Sequence, residues 1–145
     1  SVSISEDGNT AIVAASHDDT TSGYNNAGGA YIFTRSGTTW TQQAKIQASD
    51  REQNEWFGWS VSMSGDGNTA LVGAGSYYTR PAYIFTRSGT TWTEQDKIQP
   101  SGQQDQDFFG RSVSISSDGN IALVGAGGED TGAGAAYVFE TSYYI

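Results

Sequence analysis

The sequence predicts an all-β protein made of β-propeller blades: three four-stranded antiparallel repeats of about 52 residues, the last one incomplete. Three observations lead to this prediction. The residues 30–41 (AYIFTRSGTTWT) recur unchanged at 82–93. An Asp-Gly-Asn triplet follows a Ser-Val-Ser run in each repeat, and Asp66 and Asp118 are 52 positions apart. A period near 50 is typical of propeller blades rather than of the shorter helical repeats.

The first two predicted strands of each repeat are joined by a tight turn. In the middle repeat, serine and apolar residues alternate over 60–64, as in a strand with one buried face. The triplet 66–68 tolerates positive φ, so a hairpin turn is expected there. The small or apolar run 69–74 then predicts a strand that is covered on both faces, with glycine and alanine where a neighbouring backbone comes close.

The third and fourth predicted strands complete the repeat. Residues 82–86 are β-branched and aromatic, which favours a strand, and a turn is expected at 88–89. The alternating residues 92–99 predict a polar outer strand whose lysine discourages edge pairing. Trp92 and its counterpart Trp40 hold the same position in the frame, so we expect both in the core. Four such strands, small and buried inside and polar outside, make a propeller blade.

Composition narrows the classes of partner. The 145 residues include 19 glycines but only two prolines, which indicates many tight turns rather than disorder. A net charge of −9 repels phosphate backbones, so we expect no nucleic-acid partner. No apolar run is long enough to span a bilayer, so we expect no membrane insertion. The absence of cysteine excludes disulfides and thiolate metal sites.

Several motifs together resemble the FG-GAP repeat family. They are the Phe-Gly steps at 57–58 and 109–110, the Ser-Val-Ser-(Ile/Met)-Ser-x-Asp-Gly-Asn runs, the Gly-Ala or Ala-Ala pairs and the Ala-Tyr-(Ile/Val)-Phe strands. The resemblance covers essentially the whole chain. It is similar to the blades of the integrin α-chain head and of many secreted proteins, and it implies a β-propeller fold and an extracellular or cell-surface location. We divide the chain into blade repeats 1–56, 57–108 and 109–145, the last one truncated.

The chain departs from the calcium loop, Asp-x-Asp-x-Asp-Gly, that some blades of this family carry. The corresponding stretches hold Asp7, Asp66 or Asp118 with at most one further carboxylate. Ca²⁺ prefers about six to eight oxygen ligands. We therefore assign these aspartates to turn formation and expect no metal and no cofactor, with calcium as the alternative.

The ends of the repeat array pose a closure problem. Closed propellers use about four or more blades, and the residues after Phe139 contain no counterpart of the outer strand. Open ends leave half-covered blade faces that invite other chains. Either the chain is a piece of a longer propeller, which is the simpler interpretation and the one we favour, or separate copies complete one another as rings or fibres.

Catalytic residues are not expected. The only histidine, His17, occurs in a loop that no other repeat shares, and no Gly-x-Ser-x-Gly nucleophile elbow is present. The sequence therefore predicts a protein that is not an enzyme.

The loops between the second and third strands are the candidate binding site. They differ in length between repeats while the frame stays constant, and loops on a rigid scaffold often carry function. Tyrosine beside amide and carboxylate groups suits contact with a sugar or a protein. The candidate binding residues are Asp18, Asp19, Tyr24, Asn25, Asn26, Tyr77, Tyr78, Arg80, Glu129 and Asp130.

These observations predict a non-enzymatic, extracellular propeller segment for adhesion, recognition or surface structure. Its expected partners are a protein or glycan ligand, together with other copies of the chain or the missing blades of a longer parent. Two alternatives stay open: a lectin-like carbohydrate-binding module that uses the loops, and a structural protomer that assembles into rings or fibres.

Overall fold

The described part of the chain forms three antiparallel sheets, which we call blades 1, 2 and 3. A computed structural model describes residues 1–19, 23, 25–76, 81–99, 108–128 and 134–143. Blade 1 holds β1 (Val2–Ile4), β2 (Thr10–Ala15), β3 (Gly29–Ser36) and β4 (Thr39–Ile46). Blade 2 holds β5 (Phe57–Met63), β6 (Thr69–Ala74), β7 (Ala82–Ser88) and β8 (Thr91–Ile98). Blade 3 holds β9 (Phe109–Ile115), β10 (Ile121–Ala126) and β11 (Ala135–Glu140).

Each blade is a meander in which strands that follow one another in sequence are neighbours in the sheet. In blade 2, Val72 of β6 pairs with Val61 of β5 on one side and with Tyr83 of β7 on the other. β6 is buried along its whole length, whereas the outer strand β8 is largely half-exposed, as the sequence patterns predict. The prediction of an all-β fold made of propeller blades is confirmed.

The Asp-Gly-Asn turns are held by their own side chains. In blade 2, the Ser64 hydroxyl donates to Asp66 Oδ1 (2.7 Å), and the Asn68 backbone N–H donates to the same oxygen (2.9 Å). The same two bonds form around Asp7 and around Asp118. The aspartate therefore acts as an acceptor that closes the turn, which is the role the sequence analysis assigns to it.

The blades meet at the Phe-Gly steps. Phe57 is fully buried and belongs to one apolar cluster with Ile12 and Ile32 of blade 1. Phe109 has the same place in the cluster between blades 2 and 3. The backbone around each step is a bulge: the pairing of β5 with β6 shifts register between Phe57 and Ser60. The bulge aims the phenylalanine ring into the gap between two blades.

Small residues opposite each Phe-Gly step allow two backbones to approach closely. A Cβ atom at Gly73 in blade 2 would overlap the carbonyl oxygen of Gly110 in blade 3. The Ser60 hydroxyl donates to that same carbonyl (2.8 Å). In blade 1, Ala14 takes the place of Gly73 and lies against Gly58 of blade 2. The Phe-Gly step of each blade thus packs on the end of the second strand of the blade before it.

Serine hydroxyls join the innermost strands of successive blades. The Met63 backbone N–H donates to Ser3 Oγ (3.0 Å), and one blade further on the Ile115 N–H donates to Ser62 Oγ (3.0 Å). The alternating serine and apolar residues therefore have different roles on the two faces of the inner strand. The apolar residues contribute to the cores, and the hydroxyls satisfy backbone donors of the next blade.

The three Asp-Gly-Asn turns lie side by side at one edge of the blades, which we call the turn edge (residues 6–9, 65–68 and 117–120). The Glu6 N–H donates to the Gly65 carbonyl (2.9 Å), and the Gly65 N–H donates to the Ser117 carbonyl (2.8 Å). This short backbone ladder runs from blade to blade and fixes the three turns relative to one another.

The two frame tryptophans do not have the same environment, and the prediction that both are core residues is wrong for Trp40. Trp40 is 44% exposed, and the guanidinium of Arg35 lies over its ring, 5.8 Å from the ring centre. Trp92 is partly buried against the apolar cluster, and its indole N–H donates to Gln43 Oε1 of blade 1 (2.9 Å). The difference arises because Trp92 has a blade beside it in this chain, whereas Trp40 faces outward from blade 1.

Blade 3 has three described strands. A 3-10 turn, Thr141–Tyr143, follows β11, and the Thr141 N–H donates to the Asn120 carbonyl (2.8 Å). Within the residues that the structure describes, the third repeat therefore lacks an outer strand, as the sequence predicts.

Replacing Asp66 by alanine should destabilise blade 2 through its turn. The variant loses the acceptor for both Ser64 and Asn68, so we expect the free energy of unfolding to fall by about 1–2 kcal/mol. Asp66→Asn is the matched control, because its amide oxygen still accepts both bonds; it loses only the bond from the Asn68 side-chain amide to Oδ2 (3.2 Å), so its loss of stability should be smaller. Urea unfolding of the two variants checks this. Equal losses for Ala and Asn would show that the acceptor geometry is not what stabilises the turn.

Candidate functional site

The candidate site is the edge of the blades opposite the turn edge. We call it the loop edge (residues 16–19, 25–28 and 49–56). There the loop between β2 and β3 runs alongside the connection from β4 to β5. The Trp56 N–H donates to the Asn26 carbonyl and the Phe57 N–H to the Ala27 carbonyl, both at 3.0 Å, and Gly28 forms a parallel bridge with Phe57. The loop between β2 and β3 of blade 1 is therefore attached to the start of blade 2.

Asp18 anchors the blade 1 loop to the sheet below it. Its Oδ2 accepts from the Tyr31 hydroxyl (2.5 Å) and forms an ion pair with Lys45 Nζ (3.0 Å). Its side chain is only 5% exposed. Burial alone would lower the pKa of Lys45, but the hydrogen bonds to Asp18 and Tyr31 raise that pKa above its ordinary value. Asp18 therefore fixes the loop instead of presenting its carboxylate to a ligand.

The other three predicted residues of this loop that the structure describes lie further out. Asp19 accepts a short hydrogen bond from the Asn26 backbone N–H. The Asn26 side-chain amide donates to Asn54 Oδ1 across the two segments (3.1 Å), and Asn26 itself has a positive φ of 55°. Asn25 is exposed, and its carbonyl accepts from the Asn54 N–H (2.9 Å). Asp19, Asn25 and Asn26 thus lie close together, and these hydrogen bonds fix the backbone conformation of their loop.

The remaining predicted binding residues lie outside the described residues. They are Tyr24, Tyr77, Tyr78, Arg80, Glu129 and Asp130. Their part in binding stays a prediction.

A second anchor, which the sequence analysis missed, lies in blade 2. The hydroxyl of Tyr83, which is fully buried, contacts Asp50 Oδ1 (3.1 Å) and makes a short hydrogen bond with Glu55 Oε1. Lys97 Nζ lies 2.5 Å from Asp50 Oδ2 and 5.7 Å from the centre of the Tyr83 ring. Asp50 and Glu55 both belong to the connection between blades 1 and 2, so this cluster ties that connection to the blade 2 sheet.

The two anchors use the same pair of frame residues. Tyr31 and Tyr83 occupy equal positions in the identical twelve-residue copies, and Lys45 and Lys97 follow those copies at equal distances. In each blade the lysine lies over the tyrosine ring, at 5.3 Å in blade 1. This repetition of tyrosine with lysine is the signal from which the anchors could have been found. The acidic partners of these pairs could not have been found from the sequence, because they come from different loops.

Charge is distributed unequally within the blade 2 anchor. Burial raises the pKa of Glu55 above its ordinary value, against the effect of the Tyr83 hydrogen bond. Burial acts in the same sense on Asp50, but there the hydrogen bond and charge of Lys97 outweigh it, so the pKa of Asp50 lies below its ordinary value. Tyr83 has one hydroxyl hydrogen and cannot donate to both carboxylates at once. A protonated Glu55 can donate to the tyrosine oxygen, which fits the raised pKa.

Carboxylates at the turn edge also accept hydrogen bonds from neighbouring residues. Glu6, Asp7, Asp66 and Asp118 line an open depression there. Hydrogen bonds from the neighbouring serine, above all, hold the pKa of Asp7 and of Asp118 below the usual range. Across the described residues, no group of three or more histidine, aspartate or glutamate side chains is arranged to hold a metal ion.

His17 lies on the loop edge in a stack of aromatic rings. It is exposed, its Nδ1 is 3.1 Å from the Ser16 hydroxyl, and its ring stacks on Trp56 at 5.7 Å. Trp59 continues the stack at 5.8 Å and covers Gly75. The histidine therefore contacts a serine of its own loop and an indole ring, an arrangement that packs the loop against the Phe-Gly region.

Comparison with known proteins agrees with this architecture. The family model described as FG-GAP repeat matches residues 40–85 and 92–139, which together are more than half of the chain. The chain belongs to the FG-GAP repeat family. Each matched span of this FG-GAP chain begins in an outer strand, β4 or β8, and ends in the third strand of the next blade. The family unit therefore contains the contact between two blades.

Solved structures support the fold. TolB from Acinetobacter baumannii, a β-propeller, is similar to this FG-GAP chain with a TM-score of 0.57 at 13% sequence identity. The similarity covers 100% of this chain and 30% of that chain, so the chain spans about a third of the TolB structure. No curated protein matches the chain in sequence. Among the described residues there is also no helix that is long and apolar enough to cross a membrane.

Replacing Glu55 by glutamine should change how stability depends on pH. The pKa of Glu55 is raised in the folded state, so its contribution to stability is present below its unfolded value near 4.5 and is lost as the pH rises through the folded pKa. The uncharged Glu55→Gln variant should therefore lose less stability than the wild type between mildly acidic and neutral pH. Urea unfolding at a series of pH values measures this.

Asp50→Asn is the control of opposite sign. Because the folded pKa of Asp50 is lowered, its contribution is present above its unfolded value near 3.8 and is lost on acidification. Its variant should flatten the acid limb of the profile, and it should only reduce the loss of stability toward neutral pH, because the Asp50 charge is one of several causes of the raised pKa of Glu55. Wild type and Glu55→Gln giving the same profile would show that Glu55 is not held mainly neutral in the folded chain.

Proposed function

We propose that this chain is a non-enzymatic, extracellular propeller segment that serves adhesion or recognition through its loop edge. Propeller domains generally mediate protein binding. The FG-GAP repeats and the propeller-like fold therefore support a role in protein interaction. The extracellular location follows from the family resemblance. A protein is the expected ligand, and a glycan is the alternative.

One observation carries the proposal: the same tyrosine and lysine positions of the repeat hold different loops. The pair Tyr31 and Lys45 binds Asp18 from the loop between β2 and β3, whereas Tyr83 and Lys97 bind Asp50, which lies before β5. A constant anchor on the sheet thus accepts carboxylates from segments of different length and sequence. Such a scaffold can vary its contact surface without a change in fold, as recognition proteins do.

Three of the carboxylates that the structure describes on this edge also favour a binding role over a catalytic one. Asp18, Asp50 and Glu55 are engaged with tyrosine or lysine in contacts that hold the backbone in place. A general acid or base needs a side chain that can reach a substrate proton. The exposed groups on this edge include the amides Asn25, Gln53 and Asn54, together with His17, Asp19 and Glu52. These suit hydrogen bonding to a ligand surface.

Binding should depend on the loop edge and not on the turn edge. An immobilised chain is tested against extracellular matrix proteins and against a glycan array. For any ligand found, the double variant Asn25→Ala/Gln53→Ala should weaken binding by about fivefold or more, because both residues are exposed on the loop edge. The matched control is Thr38→Ala/Thr90→Ala in the exposed turns between the third and fourth strands.

The outcomes separate the candidates. A protein ligand sensitive to the loop-edge variant supports recognition. Ligands that are all glycans, with binding lost on changing Tyr24, Tyr77 and Tyr78, favour the lectin-like alternative. A ligand that is lost with the control variant and retained by the loop-edge variant contradicts both.

A structural role by self-assembly is the second candidate, and the exposed apolar residues at the two ends of the array favour it. Val2, Ile4 and Val13 form what we call the leading face of blade 1 and are 71%, 56% and 40% exposed. Ile121, Leu123, Ala136 and Val138 form the trailing face of blade 3, where Leu123 is 42% and Val138 67% exposed. Their counterparts between blades are buried, so another blade is the natural cover.

Self-assembly predicts a molar mass that rises with protein concentration in size-exclusion chromatography with light scattering. Val2→Lys and Val138→Lys should each abolish the rise, because each places a charge on one of the two faces, whereas Thr38→Lys on an exposed turn should not. The mass of a single chain at every concentration would contradict this role and leave loop-edge recognition untouched.

A further inference from the structure

We propose that Glu55 is a pH-sensitive latch for the loop edge. Its uncharged carboxyl group holds the connection between blades 1 and 2 (residues 49–56) closed on blade 2, and ionisation of that group releases the connection. The exposed groups Asn25, Gln53 and Asn54 are then ordered at mildly acidic pH and loosened towards neutral pH. Their use in binding rests on the proposed recognition function. The latch itself does not, because it can be observed without a ligand.

Glu55 lies at the centre of the hydrogen bonds that form the loop edge. The residue on each side of it donates a backbone N–H to the loop of blade 1. Asn54 donates to the Asn25 carbonyl (2.9 Å), and Trp56 donates to the Asn26 carbonyl (3.0 Å). A change in the position of Glu55 therefore affects both of the segments that carry the exposed groups.

The backbone around Glu55 has a conformation that must be imposed by its contacts. Asn54 has a φ of 60° and Trp56 a φ of 53°. Asparagine tolerates left-handed backbone, but a residue as bulky as tryptophan rarely adopts it. Phe108, the equivalent of Trp56 in blade 3, has a φ of 52°, so this strain is a feature of the repeat. Such strain persists only where the surrounding structure holds it, and in blade 2 the side chain of Glu55 contributes to that hold.

The number of hydrogens inside the blade 2 anchor requires an uncharged Glu55. The Tyr83 oxygen makes a short hydrogen bond with Glu55 Oε1 and lies 3.1 Å from Asp50 Oδ1, yet it carries one hydrogen. A protonated Glu55 supplies the second hydrogen by donating to Tyr83, which then donates to Asp50. Lys97 Nζ pairs with the other Asp50 oxygen (2.5 Å), and the Glu52 N–H donates to Glu55 Oε2 (3.2 Å). When Glu55 is ionised, two charged acceptors share one hydroxyl, and one contact becomes repulsive.

The surroundings of Glu55 also oppose its charge. Glu55 is 5% exposed, and burial raises the pKa of its carboxyl group. The charge of Asp50 acts in the same sense, whereas the Tyr83 hydrogen bond and the charge of Lys97 act against it. Burial raises the pKa of Tyr83 as well, so the tyrosine keeps its hydrogen while Glu55 titrates.

The blade 1 anchor is an internal control. There the Tyr31 hydroxyl donates to Asp18 Oδ2 (2.5 Å), and Lys45 pairs with the same oxygen (3.0 Å). In these described contacts one hydroxyl hydrogen serves one carboxylate, so the anchor stays satisfied while Asp18 is charged. The Gly28 N–H donates to the Asp18 carbonyl (3.3 Å) and reports on this anchor. We therefore expect pH sensitivity in the connection and not at Gly28.

Other titratable groups lie close to the connection and must be separated from Glu55. His17 stacks on Trp56 with 5.7 Å between the ring centres, and the exposed Asp19 and Glu52 flank the same segments. Histidine is the side chain that ordinarily changes its charge near neutral pH. A variant of His17 is therefore needed beside the variants of the anchor.

Amide hydrogen exchange of the whole chain, followed by NMR at a series of pH values, tests the latch. Protection factors correct for the intrinsic effect of pH on exchange. Those of the Asn54 and Trp56 amides should fall by up to about tenfold per pH unit as the pH rises from near 4.5, and should level off above the folded pKa of Glu55. Glutamine resembles the uncharged acid, so Glu55→Gln should keep both amides protected throughout. Protection of Gly28 should not follow this profile.

Two further variants identify the titrating group. Tyr83→Phe keeps the ring that packs on Phe57 (5.4 Å) but removes the hydroxyl, so it should lower the protection of both amides by about fivefold even at acidic pH. His17→Asn should leave the pH dependence in place. Wild-type protection that does not change with pH, the same fall in Glu55→Gln, or loss of the fall in His17→Asn would each overturn the proposal.

The consequence for binding is measured separately. The matrix protein or glycan that the binding screen identifies should bind the wild type more tightly at mildly acidic than at neutral pH, because an ordered surface loses less entropy on binding. Its affinity for Glu55→Gln should not depend on pH. An affinity that ignores the exchange profile would contradict regulation by the latch. Absence of any loop-edge ligand would contradict the proposed function, whereas the latch is decided by the exchange data.

Discussion

The close packing of each Phe-Gly step on the second strand of the preceding blade is the contact on which this structure depends. A single repeat is a thin sheet and cannot bury both of its faces, so its stability comes from its neighbours. Phe57 and Phe109 are among the largest fully buried side chains between blades, and Gly73 lets the Gly110 backbone approach. The bulge at each step, the serine acceptors and the turn ladder all act to keep that contact in register.

This dependence accounts for the pattern of exposure along the chain. β6 is covered on both faces because blades lie on both sides of it, whereas Val2 and Ile4 of β1 and Val138 of β11 face outward. The span matched by the family model also includes a contact between blades, since it runs from an outer strand to the third strand of the next blade. The repeating element therefore comprises the interface between two sheets as well as the strands of a sheet.

The proposed recognition role uses parts of the molecule that are not needed for the contact between blades. The frame residues Tyr31 and Lys45 in blade 1, like Tyr83 and Lys97 in blade 2, hold segments that differ in sequence and length. The anchors lie at the inner end of those segments, so their tips can change without disturbing the sheet. The open trailing face follows from the same architecture. It presents to solvent the small-residue surface that the next blade covers at the two internal contacts.

Periodicity in the sequence was sufficient to determine the strands, their order and the Asp-Gly-Asn turns, because these features depend on interactions a few residues apart. Ser64, Asp66 and Asn68 make their bonds within one turn wherever the blade lies. The sequence also identified the loop between β2 and β3 as variable. Contacts between distant segments were decided only by the tertiary structure. The burial of Glu55 against Tyr83 and the anchoring of Asp18 by Lys45 join residues 27 or 28 positions apart that no local pattern links. Trp40 and Trp92 show the same limit: identical neighbours in sequence gave different burial, because burial depends on whether another blade stands beside the strand.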